Sequence, residues 1–141
     1  MKKIIYVIML ALLMIAGCKK EEPVLTLSQK LCAEWRGNEL SIDAAIYMKF
    51  ASDGTFELYQ KMSSEEFELR RGTWTLTGDI LSGKYNDQEA WSTSYKVSVE
   101  NDRLTMVSQG EGAETNIYVK TEIPEYIKGS STVVVKSACL L

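Results

Sequence analysis

Three cysteines (Cys18, Cys32 and Cys139) and the closely spaced glutamates Glu65, Glu66 and Glu68 are the residues of this 141-residue chain whose types and spacing invite a covalent or acid–base reading. Histidine is absent. Its absence removes the usual general base near neutral pH, the commonest zinc ligand, and the Ser-His and Cys-His nucleophile pairs. Cys32 and Cys139 cannot complete a four-ligand metal site by themselves, so neither a metal nor a cofactor is expected. Paired carboxylates can hydrolyse glycosides, but these glutamates alternate along a strand pattern whose exposed face would be charged anyway. No EF-hand loop and no phosphate-cradling glycine motif is present. The expectation is a protein that is not an enzyme.

Cys18 has a more telling setting. Lys2 and Lys3 form a positive start, and Ile4 to Ala16 is an uncharged apolar run of 13 residues. A hydrocarbon core needs about 20; the apolar region of a secretory signal is shorter. The seam Ile15-Ala16-Gly17-Cys18 resembles the lipobox of bacterial lipoproteins. That resemblance implies cleavage before Cys18, acylation of its thiol by a palmitate-type chain, and acylation of the new amino terminus. Two or more chains hold a protein stably on a membrane where one holds it marginally. The implied location is the bacterial cell envelope, as an outer-membrane lipoprotein on the periplasmic side or at the cell surface. Lys19-Lys20-Glu21-Glu22-Pro23 would be a solvated tether, and its order of charges is similar to the export signal of Bacteroidetes-type surface lipoproteins. An ordinary signal peptide with an incidental cysteine, or an uncut anchor, is the alternative.

Removing residues 1–17 leaves 124, enough for one domain. It also removes Lys2 and Lys3, so 14 basic residues face 19 acidic ones. A mildly acidic chain without a basic block is not expected to bind nucleic acid. With Cys18 acylated, Cys32 and Cys139 remain as a candidate disulfide in an oxidising compartment. Closing so long a loop would stabilise by up to about 4–5 kcal/mol. The two could equally be separate small hydrophobes.

The elements that must position these residues are strands. Thr26 or Ser28 can cap a short helix before Leu31, and after Trp35 the hydrophobic period becomes two. Ile46, Met48 and Phe50 share a face, Ser52-Asp53-Gly54 turns, and Phe56, Leu58, Gln60 and Met62 return. From 66 to 77 the apolar parity switches, Phe67 and Leu69 being odd and Trp74 and Leu76 even, which predicts a bulge at Gly72. Gly78-Asp79 forms a tight turn. Trp91, Thr93, Tyr95, Val97 and Val99 then make the clearest alternation in the chain. Eight strands are expected, at about 35–42, 46–51, 55–62, 66–77, 80–85, 91–100, 103–108 and 115–121. Short turns between them make an antiparallel meander, and closure into an eight-stranded up-and-down barrel removes both edges. Thr132 to Val135 could cap an end or add a strand.

Leu31-Cys32-Ala33-Glu34-Trp35 is similar to the L-x-G-x-W opening of bacterial lipocalin-like proteins, with alanine for the glycine. Gly72-Thr73-Trp74-Thr75-Leu76-Thr77-Gly78-Asp79-Ile80-Leu81 resembles the mid-barrel hairpin of the same family. The resemblance spans about Leu31 to Glu122. It implies an all-β, lipocalin-like barrel with a short N-terminal helix, divided as signal peptide 1–17, lipidated tether 18–26, barrel 27–123 and tail 124–141.

Inside such a barrel, aromatic side chains with a few polar tips shape a pocket for a small amphipathic molecule. The candidate ligand-binding residues are Tyr85, Trp91, Tyr95, Tyr118 and Tyr47, while Trp35 and Trp74 are expected to fill the closed end. The partners expected are a membrane, through acylated Cys18, and a small hydrophobic ligand. The rival is a filled barrel serving as a non-catalytic module of an envelope complex, with a protein or glycan partner.

Overall fold

The structure, a computed structural model, describes residues 21–38, 44–62 and 65–134. Eight strands form the wall: β1 (Glu34–Gly37), β2 (Ala44–Phe50), β3 (Thr55–Met62), β4 (Glu68–Thr77), β5 (Ile80–Tyr85), β6 (Tyr95–Glu100), β7 (Arg103–Ser108) and β8 (Thr115–Lys120). Each pairs antiparallel with the next, and β8 returns to β1 with Arg36 opposite Val119. The ring is therefore a closed up-and-down barrel without a free edge. Consecutive pairing follows from the short turns at 51–54, 78–79 and 101–102, where Gly54 and Gly78 take positive φ of 83° and 65°.

Those turns lie at one end of the barrel, which α1 (Leu27–Leu31) closes. The side chain of Thr26 accepts from the Gln29 amide, and Gln29 reaches back to the Thr26 amide. This capping box lets so short a helix form. Leu31 and Trp35 are fully buried, and the Trp35 indole donates to the Leu31 carbonyl at 3.0 Å. Trp74 donates to the Ala51 carbonyl at 3.2 Å. The opposite end carries the longer connections, 86–94 and 109–114 among them.

The parity switch in β4 has a different cause from the bulge expected at Gly72. Both ladders run through that residue unbroken, Phe56 opposite Gly72 on one side and Tyr85 opposite it on the other. Even positions of β4 face inward throughout. Leu69 faces outward and is buried there with Tyr47, Tyr59, Ile123 and Ile127. Their cover is α2 (Glu125–Ser130), followed by β9 (Thr132–Val133) running parallel to β4. The tail thus adds a strand and packs on the outer wall, where Glu34 accepts from the Ile123 amide at 2.6 Å and meets Lys128 at 3.1 Å.

Two strands begin or end differently from expectation. The first ladder stops at Gly37, and residues 39–43 lie outside the described ones. The sixth begins at Tyr95 instead of 91, because after the bridge between Lys84 and Ala90 and the bond from the Trp91 amide to Gly83 the ladder to β5 resumes only at Tyr95. Every buried core residue of the described chain lies between Leu31 and Ile127. A chain starting at Lys19 retains all of these core residues.

Candidate functional site

Inward alternation on β5, β6 and β8 brings Tyr85, Tyr95 and Tyr118 into the half of the bore below the long loops. Trp91 joins them from the connection between β5 and β6, its amide donating to the Gly83 carbonyl at 3.0 Å. Glycine at 83 makes room for it. A Cβ there would stand 2.4 Å from the indole. Edge-to-face contacts link Trp91 to Phe56 at 5.1 Å and to Tyr95 at 6.3 Å, and Phe56 to Tyr85 at 5.8 Å. Each of the four candidates is buried. Burial holds the Tyr118 phenol up at about 12, with Tyr95 adding to it, and raises Tyr95 as well. Both hydroxyls are neutral donors at any physiological pH.

At the long-loop end, a cleft of about 180 Å³ opens between the start of β8, the end of β1 and the start of β2. Ile46, Asn116 and Tyr118 line it. Ile46 pairs across the sheet with Gln60, which faces the bore and is buried. Arg70, also buried, lies on the inward face of β4, and its Nη2 donates to Glu68 at 2.9 Å. Neither Gln60 nor Arg70 was singled out by the sequence reading. The signal was present for Arg70: without a bulge, the even face of Gly72 and Trp74 continues back to residue 70.

A family model described as the lipocalin-like domain matches residues 31–106. The chain belongs to that family. The lipocalin-like barrel is a fold of small-molecule-binding proteins, and the family is generally one of binding proteins and not of enzymes. An NMR structure of a protein from Bacteroides uniformis ATCC 8492 superposes with a TM-score of 0.53 at 16% identity, covering 66% of this chain and 90% of that one. It shares the fold. No curated protein matches the sequence.

Within this lipocalin-like barrel, Tyr47 stands apart from the other candidates. It occupies an odd position of β2, so it points outward and packs under the tail beside Phe67, at 6.1 Å between rings. The bore lies on the opposite face, that of Ile46, Met48 and Phe50. Cys32 is half-buried near the closed end and carries a free thiol. Burial, then the charge of Asp53, pushes that thiol up, which makes it a poor nucleophile. Cys18, with the tether's first residues, and Cys139 lie outside the described residues, so the lipidation site and the disulfide pairing fall outside them too. Glu65, Glu66 and Glu68 are all exposed. Among the described residues, no group of three or more Cys, Asp or Glu side chains could hold a metal ion.

Proposed function

We propose that this protein is a lipid-anchored, lipocalin-like component of a bacterial cell envelope that binds a small hydrophobic ligand in the upper bore of its barrel. One observation carries the binding half of this reading: Tyr85, Trp91, Tyr95 and Tyr118 come from four separate segments into one buried cluster, and Tyr118 also lines the cleft at the long-loop end. The closed end contributes nothing comparable, being filled by Leu31, Trp35, Met48 and Leu58. The anchoring half is supported by the sequence alone, by the apolar run of residues 4–16 and the seam at Cys18.

A second reading has its own support. The edge-to-face aromatic network packs the bore tightly, as a barrel acting only through its outer face and loops would require. Such a barrel would be a structural or interaction module with a protein or glycan partner.

Native mass spectrometry of the chain from Lys19 onward, with tryptophan quenching by a panel of fatty acids, quinones and haem, separates the two. A retained ligand mass and saturable quenching that Trp91→Phe removes are expected. No bound mass and no saturation across the panel would leave the second reading. In cells, Cys18→Ser should abolish both acyl labelling and cleavage of the chain; normal processing of this variant would refute the anchor.

A further inference from the structure

The outer face of β7, β8 and β1 carries two arginines that the fold leaves unpaired. Val119 of β8 stands opposite Arg103 of β7 on one side and Arg36 of β1 on the other. Residues opposed across antiparallel strands share a face. Here it is the outer face, since Leu104, Tyr118 and Trp35 take the buried positions beside them. Two strand spacings separate the arginines, roughly 10 Å at the backbone, and Val119 lies between them, 37% exposed. Several other cations of the wall are matched: Lys49 and Lys128 meet Glu34, Arg71 meets Glu57, and Lys96 meets Asp79. Arg36 and Arg103 are both exposed and make no ion pair among the described residues. Glu100 lies opposite Arg103 across β6 and β7 without closing one, and Glu34, two residues from Arg36, is held by Lys128 and the Ile123 amide.

The next row on the same face sets Thr105 opposite Ile117, both half-buried. Aliphatic side chains therefore run up the middle of a face whose flanks are guanidinium groups. Such a face suits the interfacial layer of a bilayer, where long basic side chains reach anionic phosphates and aliphatic groups rest between head groups. Its place in the fold points the same way. Arg103 follows the 101–102 turn and Arg36 lies near the start of β1, so the arginine row is at the closed end, where the chain enters α1 after Thr26. Eight residues separate Cys18 from Thr26, a reach of at most about 28 Å. An acylated Cys18 thus keeps this row close to lipid.

We propose that the outer wall formed by β7, β8 and β1 is a docking surface for anionic phospholipid head groups, with Arg36 and Arg103 on the phosphates and Val119 and Ile117 in aliphatic contact. This rests on the lipid-anchor reading above and adds the pose of the barrel, which lies with this wall against the bilayer. Ile117 also lines the cleft at the long-loop end. Docking by this wall turns that side of the cleft to the lipid surface and gives a hydrophobic ligand a short path from the bilayer.

The test uses the processed full chain purified from cells, its mass read first for acyl groups. It is then placed in nanodiscs of phosphatidylcholine, alone or with phosphatidylglycerol, doped with a gadolinium-chelating lipid whose broadening of amide resonances reports which wall faces the head groups. With phosphatidylglycerol, the amides of Arg36, Arg103 and Val119 should broaden at least threefold more than those of Thr75 and Ser82 on the opposite wall. A basic side chain near an anionic surface strengthens attraction by about fivefold, so Arg36→Gln combined with Arg103→Gln should lower the docked population about 25-fold and remove the contrast. Both positions are exposed, so the amide spectrum of that variant should stay that of the folded chain. Lys84→Gln removes an exposed cation from β5 and should keep the contrast. Salt at 1 M, where screening acts within about 3 Å, should erase it. Even broadening of all strands in an acylated chain, a contrast centred on β4 and β5, or one that survives the double substitution overturns the docking surface and leaves the anchor standing. A contrast equally strong without phosphatidylglycerol overturns the anionic-lipid assignment. A chain that carries no acyl group refutes the anchor and this proposal together.

Discussion

Gly83→Ala tests whether Trp91 is held in the bore by the missing side chain beneath it. An added Cβ would stand 2.4 Å from Cε2 and 2.5 Å from Cζ2 of the indole, and 2.8 Å from the Thr73 carbonyl oxygen. Carbon atoms in comfortable contact are about 3.5–4.0 Å apart, so the rigid ring must retreat by about 1 Å or more. Phe56 and Tyr95 stand against it, at 5.1 and 6.3 Å between ring centres. Overpacking of this kind costs about 1–3 kcal/mol, and each edge-to-face pair disturbed forfeits up to about 0.5–1.5 kcal/mol. The expected loss is about 2–4 kcal/mol in urea denaturation. Labelling with 5-fluorotryptophan gives one fluorine resonance per indole; only that of Trp91 should move, with Trp35 and Trp74 unchanged. Gly72→Ala should be worse, because its Cβ would meet the Lys84 carbonyl oxygen at 1.9 Å and backbone cannot step aside. Gly78→Ala meets nothing, so only its positive φ is at stake, about 1 kcal/mol. In a Trp91→Leu background the cost of Gly83→Ala should fall by at least half. A change below about 0.5 kcal/mol with an unmoved Trp91 resonance would refute the packing argument.

Two further outcomes are expected. Burial holds Tyr118 at about 12 in the folded chain, whereas a free tyrosine ionises near 10. Its contribution to stability is whole below about pH 10 and is lost as pH climbs towards 12, because the unfolded chain gives up that proton first; about 2–3 kcal/mol is at stake. Tyr118→Phe should flatten this part of the alkaline denaturation profile, and an unaltered profile would contradict the burial of that hydroxyl. Ile127 is fully buried under the tail, and Ile127→Ala should cost about 2–4 kcal/mol. Its effect on hydrogen exchange should be local: the Thr132 and Val134 amides, which donate to Phe67 and Leu69, should lose protection. Equal loss in β6 and β7 would mean that the outer cluster and the bore form one cooperative unit.

The barrel was legible in the sequence because turn chemistry and alternation act locally. Gly78 and Asn101 take positive φ at two-residue turns, and strands joined so tightly have nowhere to pair but with each other. Inward placement of Tyr85, Tyr95 and Tyr118 follows from the same period of two. Trp91 reaches the bore by another route, from a segment that only mimics strand periodicity, so its position relative to Tyr95 was readable and its backbone was not.

Alternation says which residues share a face, and it is silent on which face is covered. Tyr47, Tyr59 and Leu69 look like core residues by type, and they are buried, but on the outside of the wall. Their burial depends on Ile123 and Ile127, more than fifty residues later in the chain, and no local pattern in β2, β3 or β4 encodes that contact. A barrel strand covered on both faces shows two overlapping alternations, which a linear reading resolves as a register shift. Hence the bulge expected at Gly72, a shift that would take Arg70 off the inner face it shares with Gly72 and Trp74. The same error hid the polar end of the bore. Where an otherwise regular strand changes apolar parity, the economical inference is an added layer from a distant segment, and the polar residues left on the original face are the ones to examine for a site.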